Sequence, residues 1–361
     1  MTPPQAKIVP ATSHDRKQWD DYVLAHPNGL AYQLFAWKTA IENAYGFKCP
    51  YLMAKKGARV CGIFPMAHIH LPLCSGTLVS LPYCDAGGLL ADSKEIESLL
   101  LKHAIAYANE HGIKNLEVRA VEAFGYEPAS ETLNREKVRM VLELPSSADT
   151  LLAGFKSKMR SQVRKPMKDG LNVRLGSVEL LDDFYPVFGE NMRDLGSPVH
   201  SKEWIRQVLQ AHGSRAVCGV VYMPDGEPAA GGVILCHDRT VSIPWASSLR
   251  KLNRWNPNML LYWAFLEYAA NTKHALFDFG RSTPEEGTYR FKAQWGASPK
   301  PLYWARFDTH VTTSETEIPR PRQEPVSQGN KHRETAERLI QNMPLPLSQW
   351  LGGQLRRYIS L

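Results

Sequence analysis

The stretch "RAVCGVVYMPDGEPAAGGVILCHDRTVSIPWASSLRKLNRWNPNMLLYWAFLEYAANTKHALFDFGR", residues 215–281, reads as four elements in succession. Branched aliphatic runs on either side of Pro224-Asp225-Gly226 predict a β-hairpin, and "SIPWASSLR" predicts a further strand. "NPNMLLYWAFLEYAANTKH" predicts a helix, with Asn256 or Asn258 placed to cap it, and "ALFDFGR" predicts the strand that follows. The same order occurs in the first half. "YLMAKKGARVCGIFPMAHIH" predicts two strands around a Lys-Gly turn, and "LPLCSGTLVSLPYCDAGG" is irregular or extended. "SKEIESLLLKHAIAYANEHG" predicts an amphipathic helix that starts at a serine cap and ends at Gly112, and "IKNLEVR" predicts a strand. The second hairpin strands also correspond, "CGIFPMAH" against "GGVILCH", each with glycine before a branched aliphatic residue. The expectation is an α/β chain made of one duplicated unit.

Around this pair, "DRKQWDDYVLAH" and "YQLFAWKTAIENAYG" carry helical spacing, with Trp37, Ile41 and Ala44 on one face. Between the halves, "DTLLAGFKSKMRSQVRK" predicts one helix that ends or kinks where Lys165 meets Pro166. The boundaries that follow are a first domain at 1–145 and a second at 146–308. A flexible Pro-, Glu- and Ser-rich linker then occupies 309–330, and an amphipathic helical tail 331–361.

Composition excludes several classes. With 361 residues, 43% hydrophobic and 22% charged, the chain is globular and of two-domain size. The net charge of +7 favours anionic partners. The six cysteines form no C-x-x-C pair and read as reduced core thiols, and the first residues lack a secretory pattern, so a cytoplasmic address is expected. The chain contains no phosphate loop, no G-x-G-x-x-G, no G-x-S-x-G and no H-E-x-x-H. His68 and His70 share a strand face without a third spaced ligand, so no metal is expected.

Four places carry chemistry. Lys156, Arg160, Arg164 and Lys168 recur every four residues and form a basic stripe able to meet phosphates or face solvent. The break at Gly196, Ser197 and Pro198 carries Asn191, Arg193 and His200 at its edges. Trp245 sits where its strand leaves the sheet, as core or as a ligand wall. "FDFGRSTPEEGTYRFKAQWGA", residues 277–297, reads as strand, turn and strand. Phe277 and Phe279 oppose Asp278 there, Arg281 lies at the strand exit, and Tyr289 and Phe291 alternate with Lys292. Strand ends of an α/β sheet are the usual ligand crevice.

"AYQLFAWKTAIENAYGF", "KMRSQVRKPMKDG", "NMRDLGSPVHSKEW", "WASSLRKLNRWNPNMLLYW" and "FDFGRSTPEEGTYRFKAQWG" together resemble the FemAB-like proteins associated with PEP-CTERM/exosortase and exopolysaccharide loci. The resemblance covers nearly the whole chain, in order. It implies two tandem GNAT-like domains with mixed sheets flanked by helices. It also implies an acyltransferase that joins an acyl or aminoacyl group to an amine on an envelope precursor. The donor co-substrate would be aminoacyl-tRNA or acyl-CoA, with no bound cofactor and with tRNA as a partner in the first case. The family's last-motif lysine falls on Lys292 beside Phe291. Its first-domain substrate lysine falls on Lys38 next to Trp37, its acidic contact on Asp85, its acceptor arginine on Arg193 and its acceptor aromatic on Trp245. Lys292 or Arg281 would serve the oxyanion, and Asp278 or a carbonyl near Phe291 the amine proton. The alternative is a non-catalytic scaffold that meets the inner membrane through "LSQWLGGQLRRYISL".

Overall fold

The computed structural model describes residues 5–122, 137–310, 318 and 331–360, with side chains given for all but 331–333 of these. Along the first half run β1 (Lys7–Pro10), α1 (Arg16–Ala25), α2 (Phe35–Tyr45), β2 (Leu52–Lys56), β3 (Arg59–Phe64), β4 (Ala67–Ile69), β5 (Thr77–Val79), β6 (Leu90–Ala91), α3 (Lys94–Glu110) and β7 (Asn115–Ala120). The Ser93 hydroxyl accepts from Ile96 N and starts α3, and Gly112, at φ 66°, follows its end.

The chain continues through β8 (Val138–Glu143), α4 (Ala148–Gly154), α5 (Ser157–Lys168), β9 (Asn172–Gly176), α6 (Leu181–Asp194), α7 (Lys202–His212), β10 (Ala216–Tyr222), β11 (Pro228–Cys236) and β12 (Thr240–Ser248). Next come α8 (Pro257–Asn271), β13 (Leu276–Ser282), α9 (Gly287–Ala293), β14 (Ser298–Pro301), β15 (Tyr303–Asp308), α10 (Lys331–Gln341) and α11 (Leu345–Leu355).

Three local expectations are corrected. The helix expected over 149–165 is two helices, because Phe155 leaves helical geometry (ψ 148°) and buries its ring against Trp263 and Trp295. Pro166 does not end the second of them; it sits in the last turn of α5, which runs on to Lys168. "YRFKAQW" is helical, not extended. Glu285 and Glu286 precede α9, and Arg290 and Lys292 lie in its last turn, as the helix dipole favours.

Contacts divide the chain into two compact units. The first is Met1–Val138 with Pro301–Val326 and Tyr358–Leu361; the second is Arg139–Lys300 with Ser327–Arg357. Residues 139–145 thus group with the second unit and 301–308 with the first, where the sequence placed a boundary at 145 and an end at 308. The linker expected at 309–330 lies almost wholly outside the described residues.

Among the described residues, the first unit holds the ladders β1-β2-β3-β6 and β15-β7-β5-β4, and the second holds β14-β8-β13-β12-β11-β10-β9. β15 pairs antiparallel with β7 from Tyr303↔Ala120 to Asp308↔Asn115, and its Phe307 joins Leu78, Leu100, Ala104 and Leu116 in the first core. The duplicated order is visible in both units. After α3, β7 runs parallel to β5, and after α8, β13 runs parallel to β12. The matching hairpin glycines share a cause. A Cβ on Gly62 would stand 2.6 Å from Ile96 of α3, and one on Gly232 would stand 3.2 Å from Phe265 of α8. Each glycine lets its crossover helix lie close on the sheet.

The tail is not a free appendage. α11 packs on α6, with Gln349 so close to Gly189 that a Cβ there would meet it at 2.2 Å, and Gly352 lies against Val199. Among the described residues, no helix is long and apolar enough to cross a membrane.

Candidate active site

The second unit opens a notch between β12 and β13. The two strands pair only from Thr240↔Leu276 to Ser242↔Asp278, while β12 stays on β11 as far as Ala230↔Ser248. Beyond Ser242 and Asp278 the strands part, which leaves the β12-facing edge of Phe279 to Ser282 outside the ladder, with Phe279 and Ser282 buried and Gly280 and Arg281 half-buried at the strand end.

That edge is shaped by Gly280 and Lys292. In a regular strand consecutive carbonyls point to opposite sides. Gly280 lies at φ 73°, in the left-handed region that glycine tolerates, and its amide donates to Asp278 Oδ1 at 2.9 Å. The turn lets one ammonium take two successive carbonyls. Lys292 Nζ donates to Gly280 O at 3.1 Å and to Arg281 O at 2.8 Å, with the residue only 8% exposed. A helix, not a strand, makes this reach possible, because Phe291, Lys292 and Trp295 share one face at helical spacing while Ala293 turns outward.

An aromatic wall fixes α9. Trp295 is buried, with ring centroids 5.7 Å from Phe155, 6.3 Å from Phe291 and 6.3 Å from Tyr262. Tyr262 stacks on Phe279 at 5.7 Å and meets Phe291 edge-on at 4.9 Å. Burial pushes the Tyr262 hydroxyl well above its ordinary range, so it stays protonated. Phe291 therefore serves as packing for the site, and Tyr289 is half-buried at the start of the same helix.

Asp278 is corrected from a proton acceptor to a structural ion. It is 2% exposed, and its Oδ2 pairs with Arg139 Nη1 of β8 at 3.3 Å while Oδ1 holds Gly280 N. Arg281 is half-buried at the strand exit. Two residues absent from the sequence reading belong here. Ser242, where the strands part, and Ser282, at the end of β13, are buried with hydroxyls that have no hydrogen-bond partner among the described residues. A buried hydroxyl without a partner costs about 1–3 kcal/mol. Short strand patterns carry no signal for such serines.

The other candidates in this unit scatter. Arg160 donates to Ala153 O at 3.2 Å and Phe155 O at 2.5 Å and so closes the end of α4. Arg164 is exposed on α5, whose opposite face buries Met159, Val163 and Pro166. Arg193 is bound by the neighbouring Asp194 carboxylate at 2.8 Å. Trp245 is buried, its ring 5.9 Å from His200 and 6.4 Å from Trp204. Burial holds His200 well below its ordinary pKa, with Arg356 adding to the effect, so the ring is neutral. Asn256 takes the cap position of α8 in a left-handed conformation and makes no side-chain cap bond.

Lys38, Trp37 and Asp85 belong to the first unit. Lys38 Nζ meets Glu42 at 2.7 Å and Cys49 O at 2.5 Å and lies 5.3 Å from the centre of the Tyr51 ring. Trp37 is fully buried, with Nε1 donating to Pro82 O at 3.1 Å, so it is core and not a substrate contact. It anchors the loop in which Asp85 O accepts from Trp304 Nε1 at 3.0 Å. Among the described residues no cluster of three or more His, Cys, Asp or Glu side chains is arranged to hold a metal ion.

This geometry is that of a tandem GNAT fold. Residues 154–293 match the family model of an acetyltransferase (GNAT) domain. A solved structure of FemX shares 15% identity, with 82% of this chain and 96% of that chain covered at a TM-score of 0.67. A tandem GNAT protein from the clavulanic acid biosynthesis pathway also shares 15% identity, covering 84% and 99% at a TM-score of 0.52. Saccharomyces cerevisiae N-myristoyltransferase with bound myristoyl-CoA shares 13% identity, covering 85% and 80% at 0.51. No curated protein matches the sequence.

Proposed function

We propose that the protein is an N-acyl- or aminoacyltransferase that forms an amide on an amine of a cell-envelope or exopolysaccharide precursor, as in PEP-CTERM/exosortase systems. One observation carries the transfer reading: β12 and β13 part at Ser242 and Asp278, and Lys292 fixes the freed edge, inside the segment that matches a GNAT acetyltransferase model. The donor carbonyl lies in the notch. The amine attacks its carbon, the new C–N bond forms as the C–O bond of an aminoacyl ester or the C–S bond of a thioester breaks, and the amine proton leaves with the departing oxygen or sulfur. Lys292 places fixed positive charge where the oxyanion develops, and Arg281 flanks it. Ser282 offers its hydroxyl to the ligand. No covalent enzyme intermediate is needed.

Mass spectrometry of envelope and exopolysaccharide precursors, from cells with and without the protein, tests the reading. A missing acyl or aminoacyl adduct identifies donor and acceptor together. Unchanged precursors, with no transfer in vitro from either acyl-CoA or aminoacyl-tRNA, sink it.

The protein works in the cytoplasm and touches the inner membrane through its tail. This placement rests on α11, which exposes Leu347, Trp350 and Leu355. Trp350→Ala should lower co-sedimentation with anionic vesicles, and equal sedimentation would remove the membrane role. Because α11 packs on α6, point changes test this better than deletion of everything after 308.

A further inference from the structure

We infer that Arg119 heads a peptide-recognition subsite in the first unit, and that Ser360 of the chain's own C-terminal segment fills it as an internal competitor. Arg119, on β7, is 1% exposed. Its Nη1 donates to Leu81 O at 3.3 Å, Cys84 O at 3.0 Å and Ser360 O at 3.0 Å, and its Nη2 donates to Ser360 Oγ at 2.9 Å. Tyr83 N donates to the same Ser360 carbonyl at 2.6 Å. One serine thus receives a forked guanidinium and a backbone amide, the pattern by which a protein reads a peptide carbonyl beside a hydroxyl.

The receiving parts are held by side chains of the first unit, and the occupying residues join that unit from far along the chain. Trp304 roofs the guanidinium at 4.9 Å, and Trp37 Nε1 pins Pro82 beneath the loop. Tyr83 holds φ 67°, a strained value for a non-glycine residue, which turns its amide toward Ser360. The occupant lies 241 positions along the chain from Arg119. Its Ile359 is exposed, Ser360 is only half-buried, and Tyr358 leans edge-on against Phe47 at 5.9 Å.

The charge also suits a carbonyl ligand. Glu117 is shared by Arg119 (2.7 Å from Nε) and Arg306 (3.1 Å), so two guanidiniums face one carboxylate. The triad keeps one net positive charge, directed at oxygen atoms. The ligand class is a seryl or threonyl peptide.

The test titrates a fluorescent acetyl-Tyr-Ile-Ser-amide peptide into the full chain, into a chain ending at Arg357 and into full-length Ser360→Gly. The shortened chain should bind at least about tenfold more tightly than the full chain, with Ser360→Gly between them. Arg119→Lys in the shortened chain should abolish the gain. Equal affinity of full and shortened chains overturns the inference, as does a shortened chain with a wild-type melting transition and no binding. If the shortened chain does not fold, Ser360→Gly decides, and wild-type affinity there overturns it equally. The outcome is independent of the transfer reaction, since no acyl donor is present.

Discussion

Lys292 holds two backbone carbonyls with an ammonium that is nearly out of solvent, so its removal acts on shape and charge at once. Lys292→Ala should lower transfer by at least about 100-fold, the scale of losing an oxyanion donor, while far-UV circular dichroism stays wild-type. Activity within a few-fold of wild type would end its assignment to the site. Ser282→Ala removes a hydroxyl with no hydrogen-bond partner among the described residues, so it should leave stability within about 1 kcal/mol and raise KM more than it lowers kcat. An unchanged KM would place Ser282 outside the ligand's reach. Lys292 was singled out through the resemblance of its motif and Arg281 through its place at the strand exit; the role of Lys292 in transfer is what its variant tests. Asp278 was misread because its partner Arg139 lies 139 positions away, beyond any local alternation. In the first unit, burial pushes Glu117 up, but Arg119 and Arg306 outweigh it and hold the carboxyl below its ordinary 4.5. A group with a lowered folded-state pKa stabilises above the unfolded value, and that contribution fades as pH falls through the folded one. Glu117→Gln should therefore cost about 3 kcal/mol at pH 7 and less below pH ~4. Denaturant melts at both pH values check this, and a pH-independent cost would contradict the charge assignment.

Elements formed where the sequence placed them when their ends were marked. Ser93 and Gly112 bracket α3, and Pro224-Asp225-Gly226 turns between β10 and β11. The errors fell where a tertiary contact chose between two local patterns. "YRFKAQW" alternates well enough for a strand, yet the burial of Trp295 among Phe155, Tyr262 and Phe291 requires a helix. Phe155 breaks a plausible long helix for the same reason. The break leaves α5 as a separate basic element with Arg164 and Lys168 exposed, while Arg160 is spent on the carbonyls that end α4. If the donor is charged tRNA, Arg164→Glu should flatten the dependence of binding on salt by about one to two units of slope. Filter binding across a salt series measures it. An unchanged slope would assign this face to solvent, and tight acyl-CoA binding with no tRNA binding would turn the donor choice.

At the scale of the molecule, the duplication was legible because order and glycine placement repeat, but the sheet that each closing strand enters was not. Nothing in "PLYWARFDT" or "VRMVLEL" says which sheet it joins, since edge pairing is decided by backbone and by distant apolar partners. In the structure β8 lies beside β13 in the second unit, and β15 lies on β7 in the first. A fragment of residues 1–145, cut where the sequence suggested, therefore lacks β15. It exposes β7 as an edge along six paired positions and loses Phe307 and Ala305 from the core. Deleting one large buried side chain alone costs about 3–5 kcal/mol, a sizeable part of a small domain's whole stability, and an open apolar edge invites aggregation. The 1–145 fragment should melt without a cooperative transition and sediment as aggregate. A peptide of residues 301–310 added in excess should restore a soluble species with a cooperative melt. A fragment that melts cooperatively without the peptide would mean that β15 is a cover on a finished sheet, and the boundary at 145 would stand as a true domain end.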